Sequence, residues 1–394
     1  MFEENVITVL KQHGWKDGVL RYPTERDLLD NWKGILYRNN NDIDRLGKYP
    51  LTDGEMAQII EQIETLRTPL ALNSFVNGRT VSITRDNKED VAHFGKEVSL
   101  YIYDRKEIAG GKSTYQIAQQ PVYPAKNKML NSRRGDLVLL INGMPLIHIE
   151  LKKSGIPVSQ ATNQIEKYAH EGVFTGLFRL VQIFVAMNPD DAVYFANPGV
   201  DKFNPSYYFH WADYNNEPIC GGQNPGKDEW KLFIGGTSGT AGLLSIPMAH
   251  QLIGFYTIAD SADGCLKVLR SYQYIAANAI SDVVRKCDWE QRPSMPGRPG
   301  GYVWHTTGSG KTMTSFKSAQ LIADSHDADK VVFLMDRIEL GTQSLKEYRS
   351  FADSETEVQG TENTGVLRDK LNSTDVNDTL IVTSIQKMSN VKAG

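Results

Sequence analysis

"GDLVLLINGMPLIHIELKK", residues 135–153, sets two apolar runs around an Asn-Gly pair, with Asp136 before the first run and Glu150 and Lys152 closing the second. Asn-Gly between apolar runs is a strong hairpin signal, because the favoured two-residue turn needs positive φ at both positions. Side chains alternate faces along a strand, so Glu150 and Lys152 share a side while Leu151 turns away into the core. Folding about residues 142–143 brings Asp136 beside Glu150 across the ladder. Two carboxylates that close repel unless a cation stands between them. Mg²⁺ accepts hard oxygens and tolerates one or two carboxylates with water and phosphate, which suits this pair. Lys152 would then stand beside the metal-bound water, able to orient it or to steady charge on a phosphodiester.

Around the hairpin the pattern is that of an α+β domain. Apolar positions Phe2, Val6, Ile7 and Leu10 predict an opening helix over 2–13, and "GEMAQIIEQIETLR" predicts another over 54–67. Residues 79–104 alternate in the strand manner. A helix over 159–172, "SQATNQIEKYAHEG", and an extended run over 179–188 follow the hairpin. Residues 214–244 are rich in Gly, Asn, Pro and Ser, which places a linker at 221–246 between a first domain, 1–220, and a second, 247–394. In the second, helical patterning covers 247–287. Beyond a Pro/Gly cluster at 292–301, strand, loop and helix alternate through "KVVFLM" and "TLIVTS", which predicts an α/β domain with a parallel sheet.

The sharpest motif there is "HTTGSGKT", residues 305–312, with the apolar "GYVW" expected as a feeding strand and a helix expected over 311–323. Gly308 and Gly310 let backbone N–H groups converge on an anion at the positive end of a helix. Thr307, Gly308, Ser309 and Gly310 would cradle ATP phosphates, Lys311 would reach the β- and γ-phosphates, and the Thr312 hydroxyl would ligate Mg²⁺. His305 stands where the loop usually has its first glycine.

Composition narrows the classes. A chain of 394 residues is long enough for two or three domains, and 40% apolar with 23% charged residues is ordinary for a globular protein. The formal net charge of −4, without a basic tail, excludes binding of nucleic acid by bulk electrostatics. Three scattered cysteines fit a reducing compartment rather than a disulfide framework. The acidic N-terminus is unlike a signal peptide and no stretch is long and apolar enough to span a membrane, so the expected location is cytoplasmic.

Two resemblances follow. The order of Asp136, then Glu150 and Lys152 as E-x-K, resembles the PD-(D/E)xK nuclease superfamily, with Gly135 in place of its proline. E-x-K alone is a common triplet, and a strand ending in solvated charges would carry it too. "QATNQIEKY" adds Gln164 and Tyr168 on one helical face, and this Q-x-x-x-Y after E-x-K is similar to nucleases of type I restriction motor subunits. The resemblance implies an added acid from the first helix, Glu4 before Glu3, and contact of Arg133 and Arg134 with phosphate. His148 reads as structural or as support to the site. "HTTGSGKT" resembles the first motif of superfamily-two translocases. Gln273 in "RSYQYIAANAI" then stands for their adenine-reading glutamine, and "FLMDRIELGTQ", with Asp336 and Arg337, and "IVTSIQKM" for the next motifs.

Together these imply a PD-(D/E)xK nuclease domain with a mixed central sheet, followed by a truncated RecA-like P-loop lobe. The implied activity is Mg²⁺-dependent cleavage of double-stranded DNA coupled to ATP-driven translocation, in a complex with methyltransferase and specificity subunits. No D-E-x-H stretch precedes residue 394, so the chain is expected to bind ATP and to hydrolyse it poorly on its own. Two alternatives stay open: a stand-alone defence nuclease–helicase, and a fragment that holds ATP and DNA without turnover.

Overall fold

The computed structural model describes residues 2–108, 111–124, 133–223, 226–287, 300–336, 338–352, 354 and 357–391. The chain divides into two compact units, Met1–Thr257 with Gly264–Val268, and Ile258–Asp263 with Leu269–Gly394.

The first unit carries helices α1 (Phe2–Gln12), α2 (Glu25–Asn39), α3 (Asp53–Thr65), α4 (Pro69–Asn77), α5 (Val158–His170), α6 (Trp230–Gly235) and α7 (Met248–Gly254). Its strands are β1 (Val19–Arg21), β2 (Thr80–Thr84), β3 (Glu97–Tyr101), β4 (Tyr115–Gln119), β5 (Leu137–Ile141), β6 (Met144–Leu151), β7 (Ile183–Met187) and β8 (Ala192–Ala196). Six of them form one mixed sheet in the order β1-β4-β5-β6-β7-β8, parallel at β1–β4 and β6–β7 and antiparallel elsewhere. β2 and β3 pair separately, as an antiparallel ribbon.

The expected hairpin is β5–β6. Asn142 and Gly143 turn it at φ 52° and 83°, both in the left-handed region that this turn demands. Both strands lie in the sheet interior and are buried on both faces, which is why they read as nearly continuous apolar runs. α5 covers β6 and β7. Its apolar positions 158, 161 and 165 follow helical spacing and meet Val181, Phe184, Ala186, Val193 and Phe195 in the core. Thr24 with Asp27, and Thr52 with Glu55, form capping boxes that start α2 and α3.

Three expectations are corrected. The linker placed at 221–246 is instead packed within the first unit, because apolar residues are spaced through its glycines. Trp230, Phe233, Ile234, Leu243 and Leu244 are buried, Trp230 meets Phe2 edge-on, and the Trp15 indole donates to Leu244 O. The helical region over 247–287 is interrupted. Short strands β9 (Thr257–Asp260) and β10 (Cys265–Val268) separate α7 from α8 (Ser271–Lys286), β10 with the alternating burial of a strand. Residues 301–304, expected as the strand feeding the phosphate loop, form no strand. Tyr302 and Trp304 are 90% and 88% exposed, and a strand needs both a ladder partner and a covered face.

The second unit continues with α9 (Lys311–Ser325), β11 (Val331–Met335), α10 (Ile338–Phe351), β12 (Val358–Gly360), α11 (Thr364–Asn372), β13 (Leu380–Ser384) and α12 (Ile385–Ser389). The expected parallel sheet is present, in the order β11-β13-β12. No helix among the described residues is long and apolar enough to cross a membrane.

Candidate active site

Asp136 immediately precedes β5. Leu137 pairs with Ile149 across the antiparallel ladder, after a register shift between Leu139 and Leu140, so Asp136 falls opposite Glu150. The Asp136 carboxylate accepts the Leu151 N–H at 2.7 Å, taking up an amide at the end of the ladder. Glu150 is 1% exposed. The Lys152 ammonium lies on the same side, 3.1 Å from Glu150 Oε1, and donates also to Gln164 Oε1 at 2.6 Å and to Leu151 O at 3.3 Å. Its three protons are thereby placed, and the head group is held rather than swinging in solvent. The chain of bonds runs on. Gln164 Nε2 donates to the Tyr168 hydroxyl at 2.6 Å, and that hydroxyl donates to Arg134 O at 3.0 Å. The structure thus brings together Asp136, Glu150, Lys152, Gln164 and Tyr168. Leu151, expected in the core, is only partly buried.

The electrostatics match the geometry. Burial, then the neighbouring Glu150 charge, push the Asp136 carboxyl up to about 7, against the opposing Leu151 amide and Lys152 ammonium. Burial pushes the Tyr168 phenol up to about 12. Glu150 Oε2 is buried without a hydrogen-bond partner. A buried, unpartnered carboxylate oxygen beside a second, reluctantly ionised carboxyl is a donor set that a hard divalent cation fits. Among the described residues no group of three or more His, Cys, Asp or Glu side chains is gathered for a metal, so such a cation would keep other oxygens in its shell.

The flanking expectations change. Glu4, preferred as the extra acid, is paired with Arg21 at 2.9 Å, which with the Gln119 amide holds its carboxyl below the usual range. Glu3 is the acid of α1 whose charge bears on Asp136, and it accepts the amides of Gln119 at 2.7 Å and Gln120 at 3.2 Å. Arg133 is held in a two-point contact with Glu171, both at 2.9 Å, and is not free for phosphate. Arg134 is exposed, its guanidinium 5.9 Å from the Tyr22 ring. Sequence reasoning missed Tyr123, whose hydroxyl lies 2.8 Å from His148 Nδ1. No spacing rule links positions 123 and 148, since only the sheet unites them. The glycine at 135 is explained by the same pair: a Cβ there would lie 2.5 Å from the Tyr123 hydroxyl oxygen.

In the second unit, Gly308 and Gly310 turn the loop at φ 78° and 84°, and α9 starts at Lys311. Lys311 Nζ donates to Thr306 O at 3.0 Å, and His305 Nδ1 lies 2.8 Å from Ser309 Oγ. The Tyr272 hydroxyl donates to Ser309 O at 2.8 Å. Gln273 accepts the Arg270 N–H at 3.0 Å and donates to Gly310 O at 3.3 Å. Gln273 therefore stands against the loop and braces it. Thr307 is exposed and Thr312 half-buried at the start of α9. Asp336 O accepts the Gln386 amide at 3.0 Å, joining the two later motifs, while Arg337 lies outside the described residues.

An acid pair with a held lysine thus lies on the mixed sheet of the first unit, and a glycine-turned loop opens a helix in the second. Comparison with known proteins agrees. Residues 2–203 match the family described as the type I restriction enzyme R protein N terminus, and residues 272–394 match the SWI2/SNF2 ATPase family. The chain therefore belongs to the R protein family of type I restriction enzymes. A type I restriction enzyme endonuclease subunit of Staphylococcus aureus is 33% identical over 394 residues, all of this chain and 37% of the relative. One from Staphylococcus saprophyticus is 32% identical over 98% of this chain and 36% of the relative. The EcoprrI endonuclease subunit of Escherichia coli is 35% identical over 54% of this chain and 62% of the relative. The chain thus spans little more than a third of the length of the staphylococcal relatives.

Proposed function

We propose that this chain supplies the DNA-cutting site and the nucleotide loop of a type I restriction enzyme. In this reading residues 1–257 are a PD-(D/E)xK nuclease domain and residues 269–394 belong to a RecA-like translocase lobe. The enzyme cuts double-stranded DNA with Mg²⁺ after ATP-driven translocation, assembled in the cytoplasm with methyltransferase and specificity subunits. The observation that carries the reading is the Asp136–Glu150 pair, Glu150 buried and Asp136 half-buried, opposed across the hairpin beside a lysine with every proton placed.

Asp136 and Glu150 hold the cation. Mg²⁺ bound there would supply Lewis acidity toward a phosphodiester oxygen and make its water a stronger nucleophile. Lys152, exchanging its long bond to Leu151 O, orients the attacking water and steadies negative charge on phosphate. Gln164 and Tyr168 fix Lys152 by tying it to the Arg134 backbone. In the second domain, Thr307 to Gly310 cradle the phosphates of ATP, Lys311 exchanges Thr306 O for them, and Thr312 supplies a hydroxyl for Mg²⁺. Gln273 reads adenine from beside the loop.

The test uses the complete subunit assembled with its partners. Asp136→Ala, Glu150→Ala or Lys152→Ala abolishes cleavage and leaves ATP hydrolysis in place, whereas Lys311→Ala removes nucleotide binding. A Lys152→Ala enzyme that still cuts DNA overturns the assignment.

A further inference from the structure

His148 has no part in the roles above, yet it is fully buried two residues before Glu150, on the same face of β6. The rings of Tyr123, Tyr168, Phe174 and Phe184 enclose it. Its nitrogens face different groups: Nδ1 lies 2.8 Å from the Tyr123 hydroxyl, and Nε2 lies 3.5 Å from Glu150 Oε2. Neither Nε2 nor that oxygen has a hydrogen-bond partner.

Two proton arrangements compete. In one, the Tyr123 O–H donates to Nδ1, which leaves the proton on Nε2, aimed at the carboxylate. In the other, Nδ1–H donates to the phenol oxygen. The phenol proton then lacks an acceptor among the described residues, and a nitrogen lone pair faces a carboxylate oxygen. Only the first gives each buried group a favourable neighbour. The space is reserved for this pair, since a Cβ at Gly135 would lie 2.5 Å from the Tyr123 hydroxyl oxygen and 3.0 Å from His148 Cε1.

We propose that Tyr123 and His148 are positioning residues: Tyr123 holds His148 in its Nε2–H form, and His148 holds the Glu150 carboxylate in the rotation that presents it, with Asp136, to a divalent cation. Lys152 steadies one oxygen of Glu150 and His148 the other, so the carboxylate cannot turn away when the cation leaves. This inference rests on the cleavage reading above.

The test is Mn²⁺ binding, by calorimetric titration without nucleotide, to the unmodified protein and to Tyr123→Phe, His148→Gln, His148→Ala and Asp136→Ala. Tyr123→Phe keeps the ring and removes only the hydroxyl. It is expected to weaken Mn²⁺ binding about tenfold, the loss typical when a ligand's outer partner is removed. The Mn²⁺ concentration for half-maximal cleavage by the assembled enzyme rises by the same factor, while the rate at saturating metal is kept. His148→Ala weakens binding further, and His148→Gln, which can still donate an N–H, recovers part of the loss. A purely structural role would lower the melting temperature without moving metal affinity. If Tyr123→Phe binds Mn²⁺ as tightly as the unmodified protein, the inference is overturned, even where the His148 variants fail to fold. If the unmodified protein binds no more tightly than Asp136→Ala, the cleavage reading itself falls and the relay with it.

Discussion

Asp136, proposed above as a cation ligand, comes at a cost in stability. Its carboxyl is pushed up to about 7 from 3.8 by burial and by Glu150. Below about pH 4 it is protonated both folded and unfolded and contributes no difference. Between there and pH 7 the unfolded chain gives up the proton while the folded one keeps it, so rising pH favours unfolding. Above pH 7 the penalty is complete. With divalent metal removed, Asp136→Asn should therefore be more stable than the unmodified protein at pH 8, by up to ~4 kcal/mol, at ~1.4 kcal/mol for each tenfold change in proton affinity. The gap should close by about pH 4, as read from melting temperatures across the pH range. A second prediction concerns the glycine beside it. Gly135→Ala drives a methyl into Tyr123 and should destabilise the fold by about 1–3 kcal/mol, the usual cost of overpacking a core. Adding Tyr123→Leu should recover part of that in chemical denaturation.

At the scale of elements, what the sequence disclosed depended on whether the signal was local. The β5–β6 hairpin was legible because Asn142-Gly143 carries its own conformational demand. α5 was legible because its apolar positions repeat at helical spacing. Asp136, Glu150 and Lys152 came with the hairpin only in part: the turn pairs Ile141 with Met144, which alone would set residue 136 opposite 149, and a register shift between Leu139 and Leu140 that no local signal announces brings Glu150 opposite Asp136. The segment at 221–246 misled because its composition is that of a loop. Trp230, Phe233 and Ile234 do follow helical spacing, but over a helix of only six residues set among glycines, and Leu243 and Leu244 lie outside any such repeat. "GYVW" misled in the opposite sense, because strand propensity does not supply a neighbouring strand. The Tyr123–His148 contact was illegible because nothing local connects residues so far apart in the chain. The hairpin also gives an element-level prediction. A Cβ at Gly143 would lie 2.9 Å from Trp32 Cα, at a φ of 83° that side chains rarely adopt. Gly143→Ala should cost at least about 2 kcal/mol, from strain and collision together. It should also weaken Mn²⁺ binding, because the turn starts the register that, with the shift between Leu139 and Leu140, opposes Asp136 to Glu150.

The whole molecule carries a formal net charge of −4, an unusual balance for a protein proposed to act on DNA. Double-stranded DNA is bound chiefly by neutralising phosphates, and each neutralised phosphate steepens the loss of affinity with salt. Near the acid pair, Arg133 is spent on Glu171 and Lys152 on Glu150 and Gln164, which leaves Arg134 as the exposed arginine of the "RR" pair. Among the described residues beside the acid pair, Arg134 and the neighbouring Lys153 are the exposed cations, enough to place a scissile phosphate but little grip on a duplex. The expected outcome is that this chain by itself binds a duplex no more tightly than about 10⁻⁵ M at physiological salt, within the range of non-specific binders, with a shallow salt dependence. Arg134→Ala should lower that slope by about one unit, and Arg133→Ala should leave it unchanged. Fluorescence anisotropy of a labelled duplex over a salt series measures both. Tight, steeply salt-dependent binding by the chain alone would mean that this subunit finds DNA unaided. A shallow slope that steepens only when methyltransferase and specificity subunits are added would mean that the partners deliver the duplex to the acid pair.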